Sequence, residues 1–239
     1  MNSEHIHTAF DDDLEMIQAR IMKMGGLVEQ AIRDATSALE HRNEAHAESV
    51  RRRDRAIDAL EAQVNAEAAR MIALRAPAAS DLRTILTVIK VSGNLERIGD
   101  YAKNIAKRTT VLAHLPDVGE SSGAIRRMSR EVERMLKDAL DAYIRRDAGL
   151  AHEVRDRDEE VDQTYNSLFR VLLTHMMEDP RSITACMHLH FIAKNIERMG
   201  DHVTSVAEQV IYLATGETPD EARAKGDRTP FAGTEETEE

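Results

Sequence analysis

The chain repeats itself. Sliding the sequence by 104 residues lays Met24 on Met128, Val28 on Val132, Glu29 on Glu133 and Asp34 on Asp138. Further along, Val50 falls on Val154, Arg53 on Arg157, Asp54 on Asp158 and Asp58 on Asp162. Later the offset becomes 101, so a three-residue indel intervenes, and NLERIGD (94–100) falls on NIERMGD (195–201). Self-similarity over this length marks one structural unit written twice. Two copies with one apolar pattern must bury the same faces.

The unit is helical. Over the first 215 residues, breaks come only near Asn43, at Pro77, at 114–117, near 147–149 and at 178–180. They divide the chain into six predicted helices, roughly 8–43, 45–76, 79–113, 119–147, 149–178 and 181–215. At 1.5 Å per residue each is ~45 Å long, a length that suits bundles. Gly216 supplies a left-handed residue after the last helix, and the 79–81 stretch (Ala-Ser-Asp) can cap the third. A β-sandwich or barrel needs aromatic and β-branched alternation broken by Gly and Pro turns. Here eight aromatics (four Phe, four Tyr, no Trp), 11 Gly and five Pro in 239 residues rule that out. The expected fold is all-α: two tandem three-helix bundles, 1–116 and 117–215, then a disordered acidic tail over 216–239 without periodicity.

The balance of 32 basic and 43 acidic residues gives a net charge of −11, the reverse of what a general nucleic-acid binder needs. One cysteine, Cys186, excludes an internal disulfide and a paired-cysteine metal knuckle. It fits a reducing, cytoplasmic compartment, and falls on Ile85 of the first repeat, hence in the core. The stretch MNSEHIHTAFDDD has no apolar segment and does not read as a signal peptide. Nothing approaches the ~20 apolar residues of a membrane span, so direct insertion is not expected and any association with a membrane runs through a partner.

The chemistry lies in carboxylates. The third predicted helix carries Glu96, Asp100 and Asn104 at i, i+4 and i+8, a row of oxygens along one face. The sixth carries Glu197 and Asp201. The second and fifth carry Asp54 with Asp58 and Asp158 with Asp162. Like charges at i, i+4 destabilise a helix by a few tenths of a kcal/mol, so four such pairs at matched positions call for a cation. Arg97, Arg198 or Lys103 could neutralise them, and so could a metal. Oxygen-only ligands favour hard ions such as Mg²⁺, Mn²⁺ or Fe. The apolar stripe Leu95, Ile98, Ala102, Ile105 and Leu112 points away from the acids. A second stripe, Leu82, Ile85, Leu86 and Ile89, shares their side, which places them in or beside an inter-helix groove. Gly99 and Gly200 flank the acids in both copies. An interior helical glycine costs ~1 kcal/mol against alanine, so both point to a close neighbour.

Other candidates are weaker. His190 could add a nitrogen ligand, but its counterpart is Ile89, which reads as a packed side chain. His202 follows Asp201 and reads as surface; His5 and His7 lie in a frayed terminus. Arg51, Arg52 and Arg53 form either a solvated face, a counter-charge to Asp54 and Asp58, or a contact for an acidic partner; Arg83 is a further contact candidate. Nucleotide-loop, nucleophile-elbow and dinucleotide motifs are missing. The Glu-x-x-His pairs of a di-iron bundle occur only as Glu4 and His7. A carboxylate-bridged metalloenzyme therefore stands as the alternative to a non-enzyme.

The twin motifs NLERIGDYAKNIA (94–106) and NIERMGDHVTSVAEQVIYLATG (195–216), with PAASDLRTIL (77–86) and MGGLVEQAI (24–32), resemble the PhoU family of phosphate-uptake regulators. The resemblance spans 8–216. It implies two tandem three-helix bundles and a non-enzymatic cytoplasmic adaptor, peripheral to the inner membrane through its partners; the long amphipathic faces of the helices suit a homodimer. It implies contact with the ATPase subunit of the phosphate ABC transporter and with a phosphate-sensing histidine kinase, favouring the repressed state when phosphate is ample. It also implies metal binding through E(D)xxxD motifs, which match Asp54/Asp58, Glu96/Asp100, Asp158/Asp162 and Glu197/Asp201. The family pattern continues to an Asn four residues on. Asn104 fits, whereas Ser205 stands in the second repeat as a shorter, weaker oxygen ligand.

Overall fold

The structure is a computed structural model. It describes the backbone of residues 2–77, 79–119 and 121–219, with side chains described from residue 12 onward in those segments. Most of the expected tail, 220–239, and the side chains of His5 and His7 lie outside the described residues. Six helices follow in order: α1 (Asn2–Glu40), α2 (Glu44–Arg75), α3 (Ser80–Leu112), α4 (Ser121–Arg145), α5 (Ala148–Glu178) and α6 (Ile183–Thr215). A short 3-10 turn, Pro180–Ser182, leads into α6. The first helix begins six residues earlier than its apolar period requires.

The repeat extends to the turns. Asn43 caps α2 by accepting from the His46 N–H, and Asp147, 104 residues later, caps α5 by accepting from Leu150 N–H. Before each cap stands an arginine in the left-handed region, Arg42 (φ 50°) and Arg146 (φ 52°). Behind each, the cap residue's N–H returns to a helix carbonyl, Asn43 to Ala38 and Asp147 to Ala142. These bonds satisfy the orphan carbonyls that a helix end leaves. Ser80 is not a cap: it is the first helical residue of α3, and Ala79 before it makes no side-chain cap bond. Gly216 does take the left-handed position after α6 (φ 86°) and donates its N–H to the Tyr212 carbonyl.

Within each repeat the three helices run up, down and up. Arg20 with Glu67 and Asp13 with Arg75 set α1 against α2. Asp34 with Arg53 (2.8 Å) is matched 104 residues on by Asp138 with Arg157 (2.5 Å). The two repeats then face each other. On one side α1 lies antiparallel to α4, through Glu40 with Arg126 and Arg33 with Glu133. On the other, α3 lies antiparallel to α6. Arg83 lies over Tyr212, Asn94 Oδ1 accepts from His202 Nδ1–H at 2.8 Å, and Arg108 lies 4.3 Å over Phe191. One apolar cluster runs through all six helices. The stripe Leu95, Ile98, Ala102, Ile105 and Leu112 is buried in it, as are Ile196, Met199, Val203, Val206, Val210 and Leu213 of α6 and the Cys186 thiol. The second stripe of α3 turns partly outward, with Ile85 buried and Leu86 exposed. Among the described residues no helix is long and apolar enough to cross a membrane.

Candidate metal centres and surfaces

The antiparallel pairing of α2 with α3 sets Asp54 and Asp58 opposite Glu96 and Asp100, with Gly99 between. A Cβ on Gly99 would come 3.0 Å from Ile57 Cδ1 and 3.6 Å from Asp54 Oδ1. Asp54 is buried and Asp58 exposed; Glu96 and Asp100 are half-buried. Lys103 closes the cluster. Its ammonium donates to Asp54 Oδ2 and to Asp100 Oδ1, each at 2.5 Å, and so ties α3 to α2. Burial opposes that charge, yet the bonds to Asp100 and Asp54 hold the lysine above its usual range. Burial raises the Asp54 carboxyl against the pull of Lys103. Burial, reinforced by the charges of Asp100 and Asp58, pushes Glu96 up to about 7.

The second cluster is deeper. Asp158, Asp162 and Glu197 are 1%, 2% and 5% exposed, and Asp201 is half-buried. Gly200 is what lets α5 come this close: a Cβ there would meet Asp158 Oδ1 at 2.4 Å. Lys194 bonds Glu197 at 2.9 Å and lies 5.1 Å from the Tyr165 ring centroid. Burial raises the Glu197 carboxyl, opposed by Lys194 and reinforced by Asp201 and Asp162.

These two clusters contain all eight acids that the repeat singled out. Among the described residues, no group of three or more His, Cys, Asp or Glu side chains stands gathered as a ready ligand set. The donors are nonetheless of one hard-oxygen kind, and the Lys103 ammonium stands between Asp54 and Asp100, where a bridging cation would. The donor chemistry is the kind a hard divalent ion takes, and in this arrangement Lys103 fills that place in the first cluster.

The additional candidates fall elsewhere. Asn104 is exposed. Ser205 turns its hydroxyl to the Asp201 backbone carbonyl (3.0 Å), away from ligand duty. His190 sits among rings, 5.2 Å from Phe169 and 5.9 Å from Tyr165. His202 is not a free surface residue: it is half-buried in the α3–α6 seam, bonded to Asn94 and 5.6 Å from the Tyr101 ring, because the opposing repeat covers that face. The arginine run does not serve Asp54 and Asp58. Arg53 pairs with Asp34 because this end of α2 faces α1, Arg51 pairs with Glu48 one turn back on its own helix, and Arg52 is exposed. Arg83 is occupied by Tyr212 and by the bare Cα of Gly216, where a Cβ would come within 2.6 Å of its guanidinium. Sequence reasoning missed Lys194, although its place three residues before Glu197 is the i, i+3 spacing of a helical ion pair.

The sequence pattern of the PhoU domain matches residues 21–109 and again 125–210. The chain belongs to the PhoU family. The two PhoU matches coincide with the two three-helix repeats. A phosphate-specific transport system accessory protein PhoU homolog of Rhizobium meliloti (strain 1021) is 45% identical over 98% of both chains. The crystal structure of PhoU from Pseudomonas aeruginosa superposes with a TM-score of 0.85 at 39% identity, covering 87% of this chain and all of that one. The phosphate transport system regulatory protein PhoU from Streptococcus pneumoniae gives 0.80 at 28% identity, over 89% of this chain and all of that one.

Proposed function

We propose that this protein is an accessory regulator of the phosphate-specific transport system that acts without catalysing a reaction. It works in the cytoplasm as an adaptor between the transporter's ATPase subunit and a phosphate-sensing histidine kinase, and keeps the phosphate-starvation response repressed when phosphate is ample. The observation that supports this most is the match of nearly the whole chain to relatives named for that system. A rigid helical body whose repeats share a core suits coupling of two partners, which needs only different affinities for their alternative states. The two acidic clusters take up hard divalent cations of the Mg²⁺, Mn²⁺ or Fe kind. Asp54, Asp58, Glu96 and Asp100 hold one site, and Asp158, Asp162, Glu197 and Asp201 the other. A bound cation there would neutralise the facing carboxylates and brace α2 against α3 and α5 against α6. The protein pairs as a homodimer. The exposed Ile183, Met187 and Phe191, spaced i, i+4 and i+8 on α6, supply an apolar stripe for that contact.

The test is co-purification from cytoplasm and solubilised membranes, at high and low phosphate. The bait is this chain, beside a variant with Glu96, Asp100, Glu197 and Asp201 changed to Ala. Recovery of the transporter ATPase or the kinase is expected, as is lower metal content in the variant at unchanged helicity. Recovery of neither at both phosphate levels would overturn the adaptor role.

A further inference from the structure

The outer face of α4 carries a ridge of arginines that the fold does not use. Arg127, Arg130 and Lys137 are exposed. Among the described residues none of the three makes an ion pair within 4 Å. By contrast, Arg33 is taken up by Glu133, and Glu131 by Arg134 and Arg157. The ridge separates two hollows. The α1–α4 groove, about 470 Å³, is lined by Glu29, Arg33, Arg130, Glu133, Arg134 and Lys137. The α4–α5 groove, about 240 Å³, shares Arg130 and Arg134 with it. The ridge is denser in this repeat: 104 residues earlier, Arg127 and Lys137 fall on Lys23 and Arg33, but Arg130 and Arg134 become Gly26 and Gln30, and Arg33 is itself taken up by Glu133. A basic ridge whose Arg127, Arg130 and Lys137 make no ion pair among the described residues, beside concave hollows on a chain of net charge −11, calls for an acidic occupant.

The chain holds one. Residues 217–239 contain eight Asp or Glu against three Lys or Arg, and the acids crowd into Glu235, Glu236, Glu238 and Glu239. We propose that this acidic segment docks on the α4 ridge, its glutamates set over Arg127, Arg130 and Lys137 at the rim of the α1–α4 groove. The reach suffices. Through the ladders that pair Arg33 with Glu133, Asp54 with Lys103 and Arg83 with Gly216, the groove lies roughly 20 helical residues, or ~30 Å, back from the end of α6. From Pro219 to Glu235 the sequence runs 16 residues, about 53 Å when extended. An anionic lipid surface fits less well, because a plane meets the net negative charge of the whole molecule. A short segment feels only the ridge, within a Debye length of about 8 Å. Held there, the segment covers the cations that an acidic partner would otherwise contact.

Zero-length carbodiimide cross-linking of the full chain, read by peptide mass spectrometry, tests this. Amide links should join Lys137 to the 235–239 glutamates within one chain. Their yield should exceed that of links to the exposed Lys23, Lys90 and Lys107 by about fivefold at low salt, and fall toward parity at ~1 M salt, where the Debye length is ~3 Å. The Arg127→Glu, Arg130→Glu variant should lose the preference while its circular dichroism stays helical. If that variant loses helicity, the salt series on the parent chain decides. Equal yields at all four lysines at low salt, or a preference that neither salt nor the variant reduces, would overturn the proposal. So would links that join two chains and rise with concentration, which would assign the ridge to another copy's segment.

Discussion

The two acidic clusters occupy matched places in one repeated backbone, yet they are neutralised differently. In the first repeat Arg97 lies loosely against Glu96 and Asp100, and the close cation comes after the acids: Lys103 follows Asp100 by three residues and crosses to Asp54 on the neighbouring helix. In the second it lies before them: Lys194 precedes Glu197 by three residues, pairs with it and lies over the Tyr165 ring of α5. The repeat matches Lys103 with Thr204, whose hydroxyl turns to the Gly200 carbonyl, and Lys194 with Gly93. The first cluster is thus more open, and its lysine bridges carboxylates on two helices. The second is buried, and depends on close backbone approach at Gly200. A duplicated frame fixes where carboxylates stand, while each copy settles separately how their charge is met.

The largest expected effect tests that dependence on close approach. Gly200→Ala drives a methyl into the buried Asp158 carboxylate and should cost about 2–3 kcal/mol in urea denaturation. Gly99→Ala, whose nearest obstacle is the far methyl of Ile57, should stay within about 0.5 kcal/mol, since the ~1 kcal/mol of helix propensity gained offsets the crowding. Equal losses would erase the distinction between the sites.

Next comes the clamp. Lys103→Met strands the buried Asp54 charge. Breaking a fully buried pair costs about 3–5 kcal/mol; because the Lys103 head is one-third exposed, water screens part of this and about 2 kcal/mol is expected. The same variant clears the first cluster of its built-in cation, so millimolar Mn²⁺ should raise its melting temperature more than that of the parent. A smaller rise would mean that the lysine does not compete with metal.

A subtler test is pH. The Glu96 carboxyl lies near 7 when folded, against 4.5 ordinarily. Between those values the folded chain keeps a proton that the unfolded chain has released. The contribution of this group to stability is therefore present in full below about 4.5 and is lost as pH rises to about 7. Glu96→Gln should flatten that fall and be the more stable protein at pH 8, by comparison of urea midpoints at pH 5 and 8. An unchanged slope would place the titration elsewhere. The smallest effect belongs to Asn104→Ala. An exposed polar side chain should alter stability by no more than about 0.5 kcal/mol. Its effect on Mn²⁺ uptake should likewise be small, whereas a large loss would make it a ligand after all.

The fold was readable because its signals are local and doubled. Helix ends rest on Asn43, Asp147 and Gly216, and the offset of 104 ties the first two together. The acidic rows were readable for the same reason, since i, i+4 spacing fixes a face of one helix. What could not be read depends on register between helices distant in sequence. Lys103 is one of two candidate neutralisers on its own helix, with Arg97, but no pattern says that it reaches Asp54, 49 residues away. His202 looks like surface on its own wheel and is claimed by Asn94, 108 residues earlier, because the repeats close face to face. The arginine run follows the same logic: Arg53 belongs to Asp34 because of where α1 lies.

That closure carries a consequence for how such a chain comes apart. The seam of α3 with α6 and the seam of α1 with α4 are built of counterpart helices running in opposite directions, which is the arrangement of a two-fold axis. A half-length chain ending in the loop after α3 would uncover the surface where Gly25 receives Leu140 and Asn94 meets His202. Its simplest remedy is a second half-chain turned the other way, each offering the other the helices it lacks. The covalent link between the halves then acts as a tether: it sets the two halves at a fixed effective concentration and frees each from remaining identical to the other.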